Sequence, residues 1–379
     1  MSNFFKNIGP GSFVAAAFIG PGTVTVCTLA GVQFGFTLLW AMALSIFATV
    51  VLQEMAARLG LIYGQGLAET VKAEIASPFV KTIAILLILS AVLVGNAAYE
   101  AGNISGGVLG LQTFFEENTI SFLGLQINYL SLLIGGIAFF LLFIGNYKFI
   151  ERCLIGLVIV MSISFLITAI ITKPDMIAVL RGIFIPRLPE EGLLMVLGLV
   201  GTTIVPYNLF LHASLVQEKW KGAKDLKVAR KDALVSILLG GVVSMAIIIC
   251  AASINQKVIS DVSGLAKGLE PLYGSFSKYF LGIGLFAAGI TSAITAPLAA
   301  AYVARGCFGW KGGLKSFKFR GVWMLVLLMG VVFSSLGLRP IEIIKFAQAA
   351  NGLLLPVIAG FLLWVVNRSS VLGTFKNST

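Results

Sequence analysis

The sequence predicts an all-α polytopic membrane protein of about ten transmembrane helices, arranged as two halves of five with the first and sixth helices broken. Three observations carry that expectation. Of 379 residues, 58% are hydrophobic and only 11% are charged, against roughly 25% charged in soluble domains. Ten apolar segments each approach the length of about 20 residues that crosses a bilayer. The first and sixth segments are interrupted at matching positions by proline amid glycine or hydroxyl residues.

The expected spans cover residues 11–34, 36–60, 82–110, 127–145, 149–172, 192–216, 234–255, 279–304, 321–338 and 340–366. They form one transmembrane domain over 1–379, with repeat one at about 11–172 and repeat two at about 192–366. No low-complexity linker or soluble domain is expected. The loops at 173–191 and 256–278 are long enough for short interfacial helices.

The net charge of +11 would suggest nucleic acid in a soluble protein. Here the basic residues sit in short loops between apolar runs, so they set orientation instead. With the N-terminus inside, 19 basic residues fall on the inner side and 7 on the outer. Both termini are therefore expected in the cytoplasm, in an inner membrane of prokaryotic type. The densest basic run, between Lys219 and Lys231, fits a topology-holding loop. The expected partners are a small-ion substrate and the lipid bilayer, with no nucleic acid. Oligomeric state stays open, with a monomer as the working expectation.

Cys27, Cys153, Cys250 and Cys307 are scattered without a Cys-x-x-Cys pair, so neither a disulfide framework nor a zinc site is indicated. A single histidine excludes a histidine-cluster metal centre. Without paired acids near the breaks or a Gly-x-Ser-x-Gly elbow, an intramembrane enzyme is not expected, and neither is a cofactor. The first apolar run continues past Gly20-Pro21-Gly22 as a span, unlike a cleaved leader.

The two interrupted spans carry Gly20-Pro21-Gly22-Thr23-Val24-Thr25 and Gly201-Thr202-Thr203-Ile204-Val205-Pro206-Tyr207-Asn208. Proline removes a backbone donor and clashes with the preceding turn. Unwound backbone at membrane depth survives only where protein buries it or where it lines a cavity. Breaks at corresponding positions of two halves point to a transporter with its site near the midplane.

These residues resemble the NRAMP family of divalent-metal transporters, whose first helix carries Asp-Pro-Gly-Asn and whose sixth carries Met-Pro-His-Asn. The surroundings agree: Gly31-Val32-Gln33-Phe34-Gly35, Leu38-Leu39-Trp40, Ala56-Ala57-Arg58-Leu59-Gly60, and Asn208 through His212-Ala213-Ser214. The resemblance implies the LeuT-type 5+5 inverted repeat and secondary active transport by alternating access. The family's eleventh helix has no counterpart here.

The resemblance also marks what differs. Where the family places its metal-ligating aspartate and methionine, this chain has Gly20 and Val205; the asparagine ligand becomes Thr23. An acidic residue of helix 3 becomes Ala97, leaving Glu100. The first histidine of helix 6 becomes Tyr207, and the second remains as His212. Gln348 matches a glutamine lining the family's site. The substrate-binding set is thus Gly20, Thr23, Thr202, Thr203, Val205, Tyr207, Asn208 and Gln348.

A divalent ion wants anionic oxygen, imidazole or sulfur, and this set offers neutral hydroxyls and amides. Its donors, and the positive ends of half-helices, favour a small oxyanion. The expectation is that transition-metal transport is lost and a small anion, bicarbonate first, is carried by symport. The alternative is a Mg²⁺- or Mn²⁺-type carrier with altered ligands, and a non-transporting sensor stands behind both. Lys345 either draws an anion inward or pairs with Glu342. Coupling has two routes. Sodium would bind near Ala17, Gly20, Thr291 and Ser292, while protons would move through Glu100 and His212. Intramembrane ionisable groups are functional candidates by default.

Overall fold

The computed structural model of the chain describes residues 19–115, 119–122, 125–145, 148–254, 259–311 and 313–377. Residues 11–18 of span one, Ala17 among them, lie outside the described residues.

The second half of span one is helix α1, Pro21–Phe34. Span two is α2, Leu39–Tyr63, followed by a short helix α3, Leu67–Glu74. Span three is the 34-residue α4, Pro78–Leu111. A two-stranded antiparallel hairpin, Thr119–Phe122 with Leu125–Asn128, leads into span four, α5, Tyr129–Ile144. Asn128 caps α5, its side-chain oxygen accepting from the N–H groups of Leu130 and Ser131, as N-cap residues do. Span five is α6, Lys148–Ile171. The following loop holds a short helix, α7, Met176–Phe184.

Next comes the broken span six, α8 (Leu193–Thr203) and α9 (Pro206–Lys219). Spans seven to ten are α10 (Leu226–Ala252), α11 (Ser277–Phe308), α12 (Phe317–Ser335) and α13 (Pro340–Val366). Short helical turns fill the described part of the loop before α11. Among the described residues, eight helical stretches are long and apolar enough to cross a membrane, and α5 is a shorter apolar helix. Most span boundaries shift by up to four residues from the expectation, and one shifts by more. α10 starts at Leu226 rather than residue 234, because Lys227, Arg230 and Lys231 extend the helix beyond its apolar part. α12 ends at Ser335 rather than 338.

The helices sort into two groups. α4 packs on α11, α12 and α13, with α5 and α6 flanking α11. α1, α2, α8 and α9 gather around α10 and α13. Apolar side chains such as Phe47, Phe140 and Ile170, each more than 60% exposed, face outward. A soluble protein does not surround itself with such a belt, whereas a bilayer accommodates it.

At the end of the bundle where basic residues concentrate, several arginines are paired. Arg58 of α2 donates to Phe375 O (2.8 Å) and to Asn377 Oδ1 (2.6 Å), and lies 3.3 Å from Glu54. Glu54 also receives Arg230 at 2.7 Å. Glu74 accepts from Ser370 Oγ at 2.7 Å and faces Arg368 at 3.5 Å. Val371 and Leu372 bury against the same apolar cluster as Leu67 and Val71 of α3. The segment after α13 is thereby strapped to α2 and α3.

Candidate functional site

The site begins with two prolines. Pro21 and Pro206 each occupy the first turn of a helix, where the missing N–H costs nothing. The residue before proline is pushed out of the helical region. Gly20 accordingly sits at φ −84°, ψ 174°, and Val205 at φ −73°, ψ 119°. Ile204, at φ −106°, ψ 76°, completes the break between α8 and α9. The N-terminal ends of α1 and α9, with their free N–H groups and positive dipole ends, both start at these breaks.

The broken spans are joined directly. Thr23 Oγ1 of α1 and Thr202 Oγ1 of α8 share a hydrogen bond of 2.8 Å. Gln348 of α13 lays its side-chain amide against Gly22; a methyl group there would fall within 2.6 Å of Gln348 Cδ. The backbones of α8 and α13 touch at glycine. A methyl on Gly201 would meet the Gln348 carbonyl and come within 2.6 Å of Gly352 N. Pro21 rests on Gly106 of α4, where no side chain would fit. These contacts bring Gly20, Thr23, Thr202 and Gln348 to one buried place: Thr23 is 2% exposed, Thr202 and Gln348 1% each. Asn208, also 1% exposed, opens α9, and its N–H donates to Val205 O at 3.0 Å.

Two polar atoms at this place have no partner among the described residues: Asn208 Nδ2 and Gln348 Oε1. A buried unsatisfied amide costs about 1–3 kcal/mol. Unsatisfied amides on the helices that meet at the breaks are therefore candidates for contact with a ligand. No group of three His, Cys, Asp or Glu residues able to hold a metal occurs among the described residues.

Other expected site residues are engaged differently. Thr203 donates to Leu199 O (2.8 Å) and lies 3.5 Å from Met42 Sδ of α2, so it serves α8 and not the Thr23 side. Val205 and Tyr207 belong to an apolar cluster with Tyr99, Leu211, Ala296 and Ala299. The Tyr99 and Tyr207 rings meet edge to face, centroids 5.5 Å apart. Tyr207 thus contributes a wall rather than an open hydroxyl. Lys345 pairs with Glu342 at 3.1 Å, the pairing its i,i+3 spacing allows.

Among the coupling residues, Thr291 donates to Ala287 O at 2.8 Å, which leaves its lone pairs available. Ser292 is 4% exposed. Ile19, next to Gly20, packs on the cluster containing Ala287, Ala288 and Ile290, so the start of α1 and this stretch of α11 are neighbours. Glu100 is fully buried and accepts from Asn103 Nδ2 at 3.2 Å. It faces α12: a methyl on Gly330 would lie 2.8 Å from its Cβ. His212 Nδ1 donates to Gln53 Oε1 of α2 at 2.7 Å. Sequence reasoning missed Gln53, Tyr99 and Asn351, although Asn351 stands one turn from Gln348 on α13.

The family profile described as natural resistance-associated macrophage protein-like, Nramp, matches residues 11–379. The chain belongs to the Nramp family. It is 26% identical, over an alignment of 390 positions covering all of this chain and 88% of the relative, to the "Divalent metal cation transporter MntH" of Caldanaerobacter subterraneus subsp. tengcongensis. It is 24% identical to the MntH of Bacillus subtilis, covering 98% of this chain and 86% of that one. Among solved structures, the Eremococcus coleocola manganese transporter in complex with an aromatic bis-isothiourea substituted compound superposes with a TM-score of 0.76. That likeness has 20% identity and covers 100% of this chain and 83% of that one. MHP1, a nucleobase-cation-symport-1 family transporter, superposes at 0.59 with 14% identity, covering 95% and 75%. These likenesses establish the fold of an all-α polytopic Nramp transporter, as the paired breaks led us to expect, and a transporter is not an enzyme.

Proposed function

We propose that this Nramp transporter carries a small anion, with bicarbonate the first candidate, through a hydrogen-bonding site that has no charged ligand. One observation carries the reading. The site at the breaks is lined by Thr23, Thr202, Asn208 and Gln348, all neutral and at most 2% exposed, and Gly20 and Val205 add no ligating side chain. Stripping water from a dication among such groups in low dielectric is strongly unfavourable. An oxyanion instead meets amide and hydroxyl donors and two helix N-termini. Bicarbonate also donates one hydrogen bond, which the unpartnered Gln348 Oε1 would accept.

The second reading is a divalent cation, Mn²⁺ or Mg²⁺, and the names of the relatives support it while none supports an anion. On this chain it calls for a cation that keeps water between itself and the hydroxyls, as Mg²⁺ readily does. Sodium coupling through Thr291 and Ser292, or proton coupling through Glu100 and His212, belongs to the same proposal, as does a membrane orientation with both termini cytoplasmic.

The deciding experiment is uptake into proteoliposomes of labelled bicarbonate, Mn²⁺ and Mg²⁺, each with and without an inward sodium gradient, against empty liposomes. Saturable bicarbonate uptake without metal uptake supports the first reading. Metal uptake without bicarbonate uptake establishes the second and overturns the first.

A further inference from the structure

Asn351 was not among the residues that the broken helices or the family resemblance pointed to. It is 1% exposed, and its Nδ2 has no partner among the described residues. It follows Gln348 by three positions on α13, so the two side chains leave neighbouring points of one helix face. Gln348 Oε1 is unpartnered as well, so the two amides do not satisfy each other.

The neighbours explain where Asn351 stands. Gly95 of α4 lies opposite it: a methyl there would be 4.0 Å from Asn351 Oδ1 and 2.8 Å from Leu354 Cδ1. One turn further along α4, Tyr99 meets Tyr207 just after the second break. On the other flank, Gly352 brings α13 against the backbone of α8. Asn351 therefore borders the wedge where α4, α8 and α13 converge beside the break. It lies one helical turn, about 5 Å, from Gln348 toward the Leu355 end of α13.

We infer that Asn351 is a second substrate-contacting amide, which receives the ion as it leaves Gln348 and helps set selectivity. Asn208 Nδ2, Gln348 Oε1 and Asn351 Nδ2 then act as successive donors and acceptor for one small polyatomic ion. An amide that serves only packing fills its hydrogen bonds within the protein. Asn96 of α4 does so, donating to Ala296 O at 2.8 Å. The inference rests on the helix breaks being the substrate site; the N–H donors suit an oxyanion, and a hydrated cation would instead meet the amide oxygens through its water.

The test measures concentration-dependent uptake into proteoliposomes for the wild type, Gln348→Ala, Thr202→Val, Asn351→Ala and Asn351→Asp, with labelled bicarbonate and with Mn²⁺. Detergent melting confirms that each variant is folded, and Asn351→Ser replaces the alanine variant if that one is not. For the ion the wild type carries, Asn351→Ala is expected to raise KM about tenfold with Vmax within about twofold, the loss of one buried hydrogen bond. Asn351→Asp keeps the shape and reverses the chemistry. It is expected to weaken anion uptake further and, if the carried ion is a cation, to lower KM instead. Unchanged KM in both Asn351 variants, alongside raised KM in Gln348→Ala and Thr202→Val, overturns the role of Asn351 alone. Unchanged KM in all four removes the substrate site from the breaks. A fall in Vmax with KM unchanged in the Asn351 variants makes the residue structural and also overturns the proposal.

Discussion

The helix breaks and the basic end of the bundle handle polarity in opposite ways. At the basic end, Arg58, Glu54, Arg230, Glu74 and Arg368 are all in ion pairs, and Phe375, Asn377 and Ser370 add hydrogen bonds, with Arg58 Nε left as the unpartnered buried atom there among the described residues. At the breaks there is no formal charge, yet Asn208 Nδ2, Gln348 Oε1 and Asn351 Nδ2 stay unpartnered. Buried charge has to be neutralised on the spot, because leaving it bare costs several kcal/mol. A neutral amide left open costs about 1–3 kcal/mol, a sum a bound ion can return. The protein therefore spends its ion pairs on holding segments together and keeps neutral groups in reserve for the ligand.

That contrast can be broken experimentally. The largest effect is expected from Gly201→Val, which drives a branched side chain into the α13 backbone. Overpacking of this kind costs about 3 kcal/mol, and the variant should lose uptake and melt well below the wild type. Next is Gly20→Asp combined with Val205→Met. Placing a carboxylate among the reserved donors should reduce anion uptake roughly 100-fold, the effect of about 3 kcal/mol, and should create measurable Mn²⁺ binding by calorimetry. Improved anion uptake from this pair would contradict the anion reading outright.

Smaller effects test the other side of the comparison. Arg58→Ala removes two hydrogen bonds to the segment after α13 while leaving Glu54 paired with Arg230. Stability should fall by about 1–2 kcal/mol, seen as a lower melting temperature, with KM unchanged. Least of all, Lys345→Ala removes a partly exposed pair with Glu342, worth about 0.5 kcal/mol or less. Uptake kinetics should not move. A several-fold rise in KM would show that Lys345 attracts the substrate after all.

The sequence carried the architecture because its signals were local and strong. Twenty-residue apolar runs and two mid-span prolines need no long-range information to interpret. Pro21, Pro206 and the hydroxyls around them were legible for the same reason, whereas Gln348 was marked only by the family resemblance. What escaped depended on rotation and on neighbours. Thr202 and Thr203 are adjacent in sequence, but about 100° apart around the helix; one meets Thr23 and the other Met42. Tyr207 looked like a free hydroxyl until Tyr99 was placed against it. The position of Asn351 depended on Gly95, a residue of another span that shows no chemistry of its own. The early start of α10 was invisible to hydropathy, since its added turns are basic.

The glycine contact between α8 and α13 has a mechanical consequence. With Gly201 seated on the backbone at Gln348 and Gly352, the two helices are welded at the level of the site, and pulling them apart would open a void that close-packed interiors resist. A carrier that rocks between two openings then swings Thr202 and Gln348 together, like two teeth of one gear. Their spacing, and with it the grip on the ion, stays the same whichever side is open.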